Sequence, residues 1–247
     1  MIIKTQLRKA LIAAAGLLAL GQSAIAGSPA PAVSPTIEPS AISYNNFSVG
    51  YQYSGADLEY NFGRLNGNGF SLGGEVSPAR NFYLASGFSR VAGEVAVPLY
   101  YDYFGGGRVV DVDVTLLNFN LGMGGYFELS NQVHFGAEFG FNYADLTGSL
   151  WGYGGSSDDF GAYITPHFRV RPTLPGPLEM HFGILYNSND LSLSELMPFM
   201  RVIFEVCPAI DVFAGVSFGI SKSDENLSGL TNGNVVNVNA GLRYNFD

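Results

Sequence analysis

The residues best suited to chemistry in this chain are charged side chains on the polar face of segments with alternating polarity. They are Glu75, Glu128, Glu138, Glu179, Glu205, Arg169, Arg171, Arg201 and Arg243. Acids and arginines that share a face can line an aqueous pore or a catalytic cleft, or they can pair with each other. Because an unpaired buried charge is costly, we predict that these groups form a network of ion pairs.

The three histidines of the chain, His134, His167 and His181, fall on the same polar face. A turn centred near Leu174 would place His167 almost opposite His181. Three converging imidazoles can bind zinc or copper, but no ligand-spacing motif accompanies them. We therefore predict no metal site and no cofactor, and we expect the histidines to hydrogen-bond to neighbouring acids.

A hydrolase would need an acid and a base close together near the longer connections. The acids found there are Asp102, Asp111, Asp145, Asp158 and Asp190. No histidine lies near them, so a general base is missing. The run 105–107 is all glycine but lacks the Lys-Ser/Thr of a phosphate-binding loop. We predict no catalytic residues and no enzymatic activity.

The composition excludes three classes of protein. Of the 247 residues, 47% are hydrophobic and only 13% are charged, about half of the roughly 25% that soluble proteins carry. Beyond the first segment of the chain, no apolar run reaches the roughly 18 residues of a membrane-spanning helix. A helical membrane protein and a disordered polar chain are therefore excluded. The net charge of −9 offers no basis for binding nucleic acid.

From about residue 45 the hydrophobic period is two, which is typical of strands with unlike faces. In the last segment, Val236, Val238 and Leu242 share one face, and Asn237 and Asn239 share the other. Four short connections and five longer ones predict ten strands. The predicted spans are 45–53, 68–77, 81–97, 111–128, 132–146, 159–171, 178–186, 195–206, 210–221 and 234–246.

Short turns at one end and long loops at the other are typical of an outer-membrane barrel. We therefore predict an all-β fold, a closed antiparallel up-and-down transmembrane β-barrel of ten strands, with eight strands as the alternative. The polar face is rich in Gly, Asn, Ser and Thr and suits a narrow lumen, whereas a soluble surface would carry more charge. Pro166 and Pro198 fall inside predicted strands of a barrel that has no edge, and bulges could accommodate them.

The first 26 residues have the three parts of a secretory signal. Lys4 and Arg8 precede the apolar run 10–20, and Ala26 completes a small-residue cleavage site. We predict a signal peptide over 1–26, a flexible proline-rich leader over 27–41 and an outer-membrane β-barrel over 42–247. The predicted location is the outer membrane, after export to the periplasm.

The sequence resembles the small outer-membrane β-barrel family, of the opacity-protein and OmpA-like membrane-domain type. The resemblance rests on YNNFSVGYQY at 44–53, NGNGFSLGGEV at 66–76, RNFYLASGFSR at 80–90, QVHFGAEFGFNY at 132–143 and AGLRYNF at 240–246. Members have eight to ten strands and end in an aromatic residue that the barrel-insertion machinery reads. The resemblance implies that Tyr244 and Phe246 form this insertion signal, although Asp247 follows.

These patterns predict a structural or cell-surface interaction role, with a lumen plugged by polar and charged side chains. A small pore for ions or small solutes is the alternative, and an outer-membrane enzyme is a third. The predicted partners are outer-membrane lipid and the insertion machinery, and the sequence identifies no surface ligand. Aromatic residues of the long loops suit either an interfacial girdle or an adhesive surface; they are Tyr100, Tyr101, Tyr103, Phe104, Trp151 and Tyr153.

Overall fold

A computed structural model describes residues 42–57, 64–101, 106–150, 153–172, 178–189, 191, 195–220 and 234–246. The signal peptide predicted over 1–26 and the leader predicted over 27–41 lie outside these ranges. Within them, no helix is long and apolar enough to cross a membrane.

The described chain forms ten antiparallel strands that close into a barrel. The strands are β1 (Asn46–Asp57), β2 (Arg64–Ala79), β3 (Phe82–Tyr101), β4 (Gly106–Ser130), β5 (Val133–Leu150), β6 (Tyr153–Val170), β7 (Leu178–Asn187), β8 (Leu196–Cys207), β9 (Ile210–Ile220) and β10 (Asn234–Asn245). Each strand pairs with its neighbours in sequence, and β1 closes the sheet on β10. The predicted ten-stranded up-and-down barrel is confirmed, and the eight-stranded alternative is wrong.

Three tight turns mark one end of the barrel, which we call the short-turn end. Arg80-Asn81, Asn131-Gln132 and Pro208-Ala209 connect β2 to β3, β4 to β5 and β8 to β9. The register shifts beside each turn. Asn81 has a φ of 64°, a left-handed conformation that asparagine tolerates better than most residues. β1 begins and β10 ends at this same end, because Asn46 pairs with both Asn245 and Glu75.

Large apolar side chains cover the outside of the barrel. Among the exposed ones are Phe47, Val49, Phe70, Leu84, Phe119, Leu121, Phe141, Phe160, Phe182, Ile184, Met200, Phe204, Val212, Phe218, Val238 and Leu242. Serine, asparagine and glycine alternate with them on the inner face. Hydrocarbon is the solvent that suits such an exterior, so the barrel is of the transmembrane type and not a soluble one.

The strands β3 to β6 are the longest. They have 20, 25, 18 and 18 residues, whereas β2 has 16 and the other strands have 10 to 12. A tilted strand crosses a bilayer with about 9–11 residues. The β3–β4 and β5–β6 pairs therefore continue beyond the apolar band, and we call residues 90–115 and 145–158 the projecting hairpins.

The polarity of the two faces inverts on the projecting hairpins. Glu94 and Asp113 face outward and are exposed, whereas Val95 and Val110 face inward and are buried. On β4 the outward face changes from Asp113 to Leu117 within four residues. The border of the apolar band, the belt of exposed apolar side chains on the outer face, therefore lies between Asp113 and Leu117.

Pro166 in β6 and Pro198 in β8 interrupt the sheet on one side only. Pro166 pairs with Ala137 of β5, and Pro198 pairs with Ile184 of β7. On the opposite side of each proline the ladder skips rungs, yet the register on either side of the gap is the same. Neither proline is accommodated by a bulge in these ladders, because a residue without an N–H can drop a hydrogen bond without an inserted residue.

The apolar band predicts how a charge will act on the outer face. Leu121→Arg places a cation in the middle of the band, and we expect a loss of about 2–4 kcal/mol in the free energy of unfolding. Thr147→Arg is the matched control, because Thr147 faces outward on a projecting hairpin, and it should cost less than about 1 kcal/mol. Urea titration of the barrel in lipid vesicles measures both. Equal losses would contradict the position of the band.

Candidate functional site

The four residues before β1 enter the lumen at the short-turn end, and we call residues 42–45 the N-terminal plug. Ile42 and Tyr44 pack in a buried cluster with Tyr83, Ala85 and Tyr126. The Tyr44 ring stacks on the rings of Tyr126 and Tyr83, with centroids 4.2 and 4.9 Å apart. Burial raises the pKa of the Tyr44 hydroxyl above its ordinary value, so the plug presents a neutral phenol.

Arg169 of β6 joins the plug to the barrel wall. Its guanidinium lies 4.1 Å from the centroid of the Tyr44 ring, an arrangement that attracts a cation. The same group forms an ion pair with Glu75 of β2. The Asn46 side-chain amide donates a second hydrogen bond to Glu75, at 2.9 Å. One cation therefore links β1, β2, β6 and the plug across the lumen.

Arg243 of β10 forms the second buried ion cluster. Its guanidinium donates to both carboxylate oxygens of Glu179, at 3.2 and 3.0 Å, and to Asp211 at 2.6 Å. Asn245 also donates to Asp211, at 2.7 Å. The two-pronged contact is the geometry that arginine offers a carboxylate, and it fastens β10 to β9 and β7.

The histidines lie beside these clusters in the short-turn half of the lumen. His134 stacks on Tyr126, with ring centroids 5.1 Å apart. His167 and His181 meet edge to face at 4.8 Å, and the backbone register sets His181 opposite Arg169. The ring Nδ1 of His167 lies 3.1 Å from the Thr165 carbonyl oxygen. In the described part of the chain, no three acids, histidines or cysteines lie close enough to hold a metal ion.

Two of the predicted lumen acids lie at the rim of the short-turn end. Glu128 is exposed, and its carboxylate is 3.7 Å from the guanidinium of Arg80. Glu205 pairs with Arg171, and both are partly exposed. The predicted lumen set therefore divides into buried clusters around Arg169 and Arg243 and two pairs in contact with water, which stabilise little.

The remaining lumen charges, Glu138 and Arg201, are not ion-paired. The Tyr163 hydroxyl donates to Glu138 at 2.5 Å. The Arg201 guanidinium lies 4.8 Å from the centroid of the Phe213 ring. Within the described ranges of the chain, no carboxylate lies within ion-pairing distance of Arg201. Both residues line a cavity of about 440 Å³ in the middle of the barrel, above the plug.

The predicted insertion signal lies at the end of β10. Tyr244 and Phe246 face outward, and both are exposed. Their rings stack with centroids 6.4 Å apart. These two outward-facing rings at the end of β10 extend the apolar outer surface to the short-turn end.

The sequence analysis missed the N-terminal plug. Its signal was present, because Ile42 and Tyr44 continue the inward-facing parity of β1, where every later inward position up to Ser54 is small or polar. Large apolar residues at inward positions indicate a packed lumen. The asparagine- and serine-lined cavity above the plug was not predicted either.

Solved structures with a similar shape are bacterial surface and translocation proteins. Neisserial surface protein A matches at 12% identity and a TM-score of 0.44, covering 83% of this chain and 98% of that one. Ail, the attachment invasion locus protein of Yersinia pestis, matches at 14% and 0.40, covering 83% and 100%. The β domain of the Bordetella autotransporter BrkA matches at 12% and 0.49, covering 83% and 100%. No protein-family model and no curated protein matches the sequence.

The class of protein follows from the chain's own barrel. Ten antiparallel strands form a closed sheet, and its exterior is apolar. The start of β1 and the end of β10 lie at the same end of the barrel as the short turns. These features define a small β-barrel of the outer-membrane type. The N-terminal plug and two ion clusters lie inside the barrel at its short-turn end.

The ion cluster around Arg169 predicts a large effect of a single substitution. Arg169→Ala leaves Glu75 buried without its cation and removes the contact with Tyr44, so we expect a loss of about 3–5 kcal/mol in the free energy of unfolding. Arg90→Ala is the control, because Arg90 is exposed on the outer face. Urea titration of both variants measures the difference. A loss in Arg169→Ala no larger than that in the control would contradict the network.

Proposed function

We propose that this chain is a non-conducting barrel of the bacterial outer membrane that presents its projecting hairpins at the cell surface. The short-turn end faces the periplasm in this proposal, as is usual for such barrels. Outer-membrane lipid surrounds the apolar band, and the insertion machinery reads Tyr244 and Phe246. The predicted export of the chain through its signal peptide belongs to the same proposal.

The packing at the short-turn end is the observation that supports a closed lumen. The Tyr44 ring contacts both the Tyr126 ring and the Arg169 guanidinium, and Arg169 is held by Glu75. Barrels of about eight strands are filled by side chains, whereas open channels need about sixteen. Ten strands with a buried aromatic stack favour the closed state over the pore.

The projecting hairpins support a role at the surface. Their outer faces carry acids directly opposite each other, Glu94 with Asp113 and Asp145 with Asp158. Like charges in such positions destabilise a sheet, and they are best tolerated where water screens them. Long hairpins whose described strands are fully paired give a stable platform for contacts outside the membrane.

A pore is the second candidate, because the cavity above the plug is polar. An enzyme has less support. In the described part of the chain, the histidines lie in the short-turn half, whereas Asp111, Asp145 and Asp158 lie on the projecting hairpins. The acids Asp102 and Asp190, and the side chains of the loop aromatics, lie outside the described residues. The choice between an adhesive surface and an interfacial girdle stays a prediction.

Planar-bilayer recording tests the closed lumen. The purified mature chain should show no reproducible open steps, because the plug and the Arg169 cluster obstruct the lumen. A chain that begins at Asn45 keeps all ten strands but lacks Ile42 and Tyr44, and it should conduct. Regular open steps from the intact chain would overturn the closed state and favour the pore.

Trimming of the hairpins tests the surface role. Replacement of residues 96–111 by an Asn-Gly turn joins Val95 to Val112, which are already paired. We expect the adherence of expressing Gram-negative cells to one another and to glass to fall to the level of cells without the protein. Replacement of residues 148–155 by the same turn, between paired Thr147 and Ser156, is the comparison. Unchanged adherence in both variants, with urea resistance retained, would contradict the surface role.

A further inference from the structure

The Arg201 guanidinium differs from the other buried arginines of the barrel. Arg169 and Arg243 each bind at least one carboxylate. Arg201 lies on the inner face of β8, where its backbone partners are His181 and Gly215, and its guanidinium lies over the Phe213 ring. The charge is therefore supported on one face by an aromatic ring and open to the cavity on the other.

The acids nearest in the lumen are engaged by other groups. Glu75 accepts hydrogen bonds from Arg169 and Asn46, and Glu179 is held by Arg243. Asp211 is shared by Arg243 and Asn245. Glu138, which also lines the cavity, accepts from Tyr163. A guanidinium inside a barrel without a carboxylate partner is costly, so its free donors favour a bound anion.

The cavity lining combines amide and hydroxyl side chains with apolar ones. Gln52, Asn118, Asn120, Asn237 and Ser217 supply polar groups, whereas Leu185, Phe199 and Phe213 supply apolar surface. Such a mixture can form hydrogen bonds with the polar groups of a small ligand and pack against its carbon chain.

Glycine on the inner face lets two amide side chains pack closely against the barrel wall. A Cβ at position 215 would lie 2.4 Å from the Asn239 side-chain oxygen, and a Cβ at position 87 would lie 2.3 Å from that of Asn120. Larger residues at these positions would press on the two amides. The cavity of about 440 Å³ is within the range of about 300–1,000 Å³ typical of small-molecule sites.

We propose that the mid-barrel cavity binds a small polyhydroxylated monocarboxylate, such as a sugar acid. The carboxylate pairs with the Arg201 guanidinium, and the hydroxyl groups form hydrogen bonds with the amide and hydroxyl side chains that line the cavity. A dicarboxylate fits less well, because the cavity offers one unpaired cation and already contains the carboxylates of Glu75 and Glu138. Amides accept and donate equally well, which suits a ligand with several hydroxyl groups.

Calorimetric titration of the full mature barrel in detergent tests the proposal with three probes of similar length. D-gluconate has a carboxylate and hydroxyl groups, sorbitol has hydroxyl groups without the charge, and hexanoate has the charge without hydroxyl groups. Gluconate should bind, and both other probes should bind at least about tenfold more weakly, a difference of about 1.4 kcal/mol. The measurement does not depend on whether the lumen conducts.

Two variants assign the binding to Arg201. Arg201→Gln should weaken gluconate at least about tenfold and leave urea resistance nearly unchanged, since the substitution breaks no ion pair. Arg201→Lys should recover part of the affinity, and Arg90→Gln, on the outer face, should bind like the unaltered barrel. Absence of gluconate binding, equal binding of hexanoate, or unchanged affinity in Arg201→Gln would each overturn the proposal.

Discussion

The closure of the backbone hydrogen-bond ladder is the constraint on which the rest of this structure depends. A strand in hydrocarbon has no water to satisfy its N–H and C=O groups, so β1 must pair with β10. Once the sheet is a cylinder, residues of one parity face lipid and residues of the other parity face a narrow interior. A charge deep in this interior is far from bulk water and is costly without a partner. The clusters around Arg169 and Arg243 meet that need with carboxylates, ring faces and amides.

The same constraint explains how the interior is divided. At the short-turn end the inner positions carry Tyr83, Tyr126, His134 and Arg169, which fill the space together with the plug. Higher in the barrel the inner positions carry serine, asparagine and glycine, which leave a cavity. Higher still, Ala56, Leu65, Val95 and Val235 form a second apolar cluster on one side of the lumen. Along the barrel axis, the inner side chains thus change from charged and aromatic at the short-turn end to polar around the cavity, and then to apolar on one side of the lumen.

The alternation of residue types was enough to predict ten strands, their order and the outward direction of residues such as Phe141 and Leu242. The predicted spans 81–97 and 111–128 were too short, because the prediction assumed that apolar residues occupy the same face of a strand along its whole length. Val95 and Val110 carry the pattern on inverted faces, and the pairing continues to Tyr101 and Gly106. Ion-pair partners across the lumen were beyond a sequence pattern. Arg169 lies 94 residues from Glu75, and only the closed cylinder brings the two together.

The N-terminal plug has a consequence for the order of assembly. Tyr44 lies next to β1 in sequence, yet its ring contacts come from β3, β4, β5 and β6, through Tyr83, Tyr126, His134 and Arg169. These four strands are consecutive, so a sheet of β1 to β6 already carries every surface that contacts the ring. Docking of the phenol therefore does not wait for β7 to β10, and it can brace the curvature of a growing sheet before the first and last strands meet.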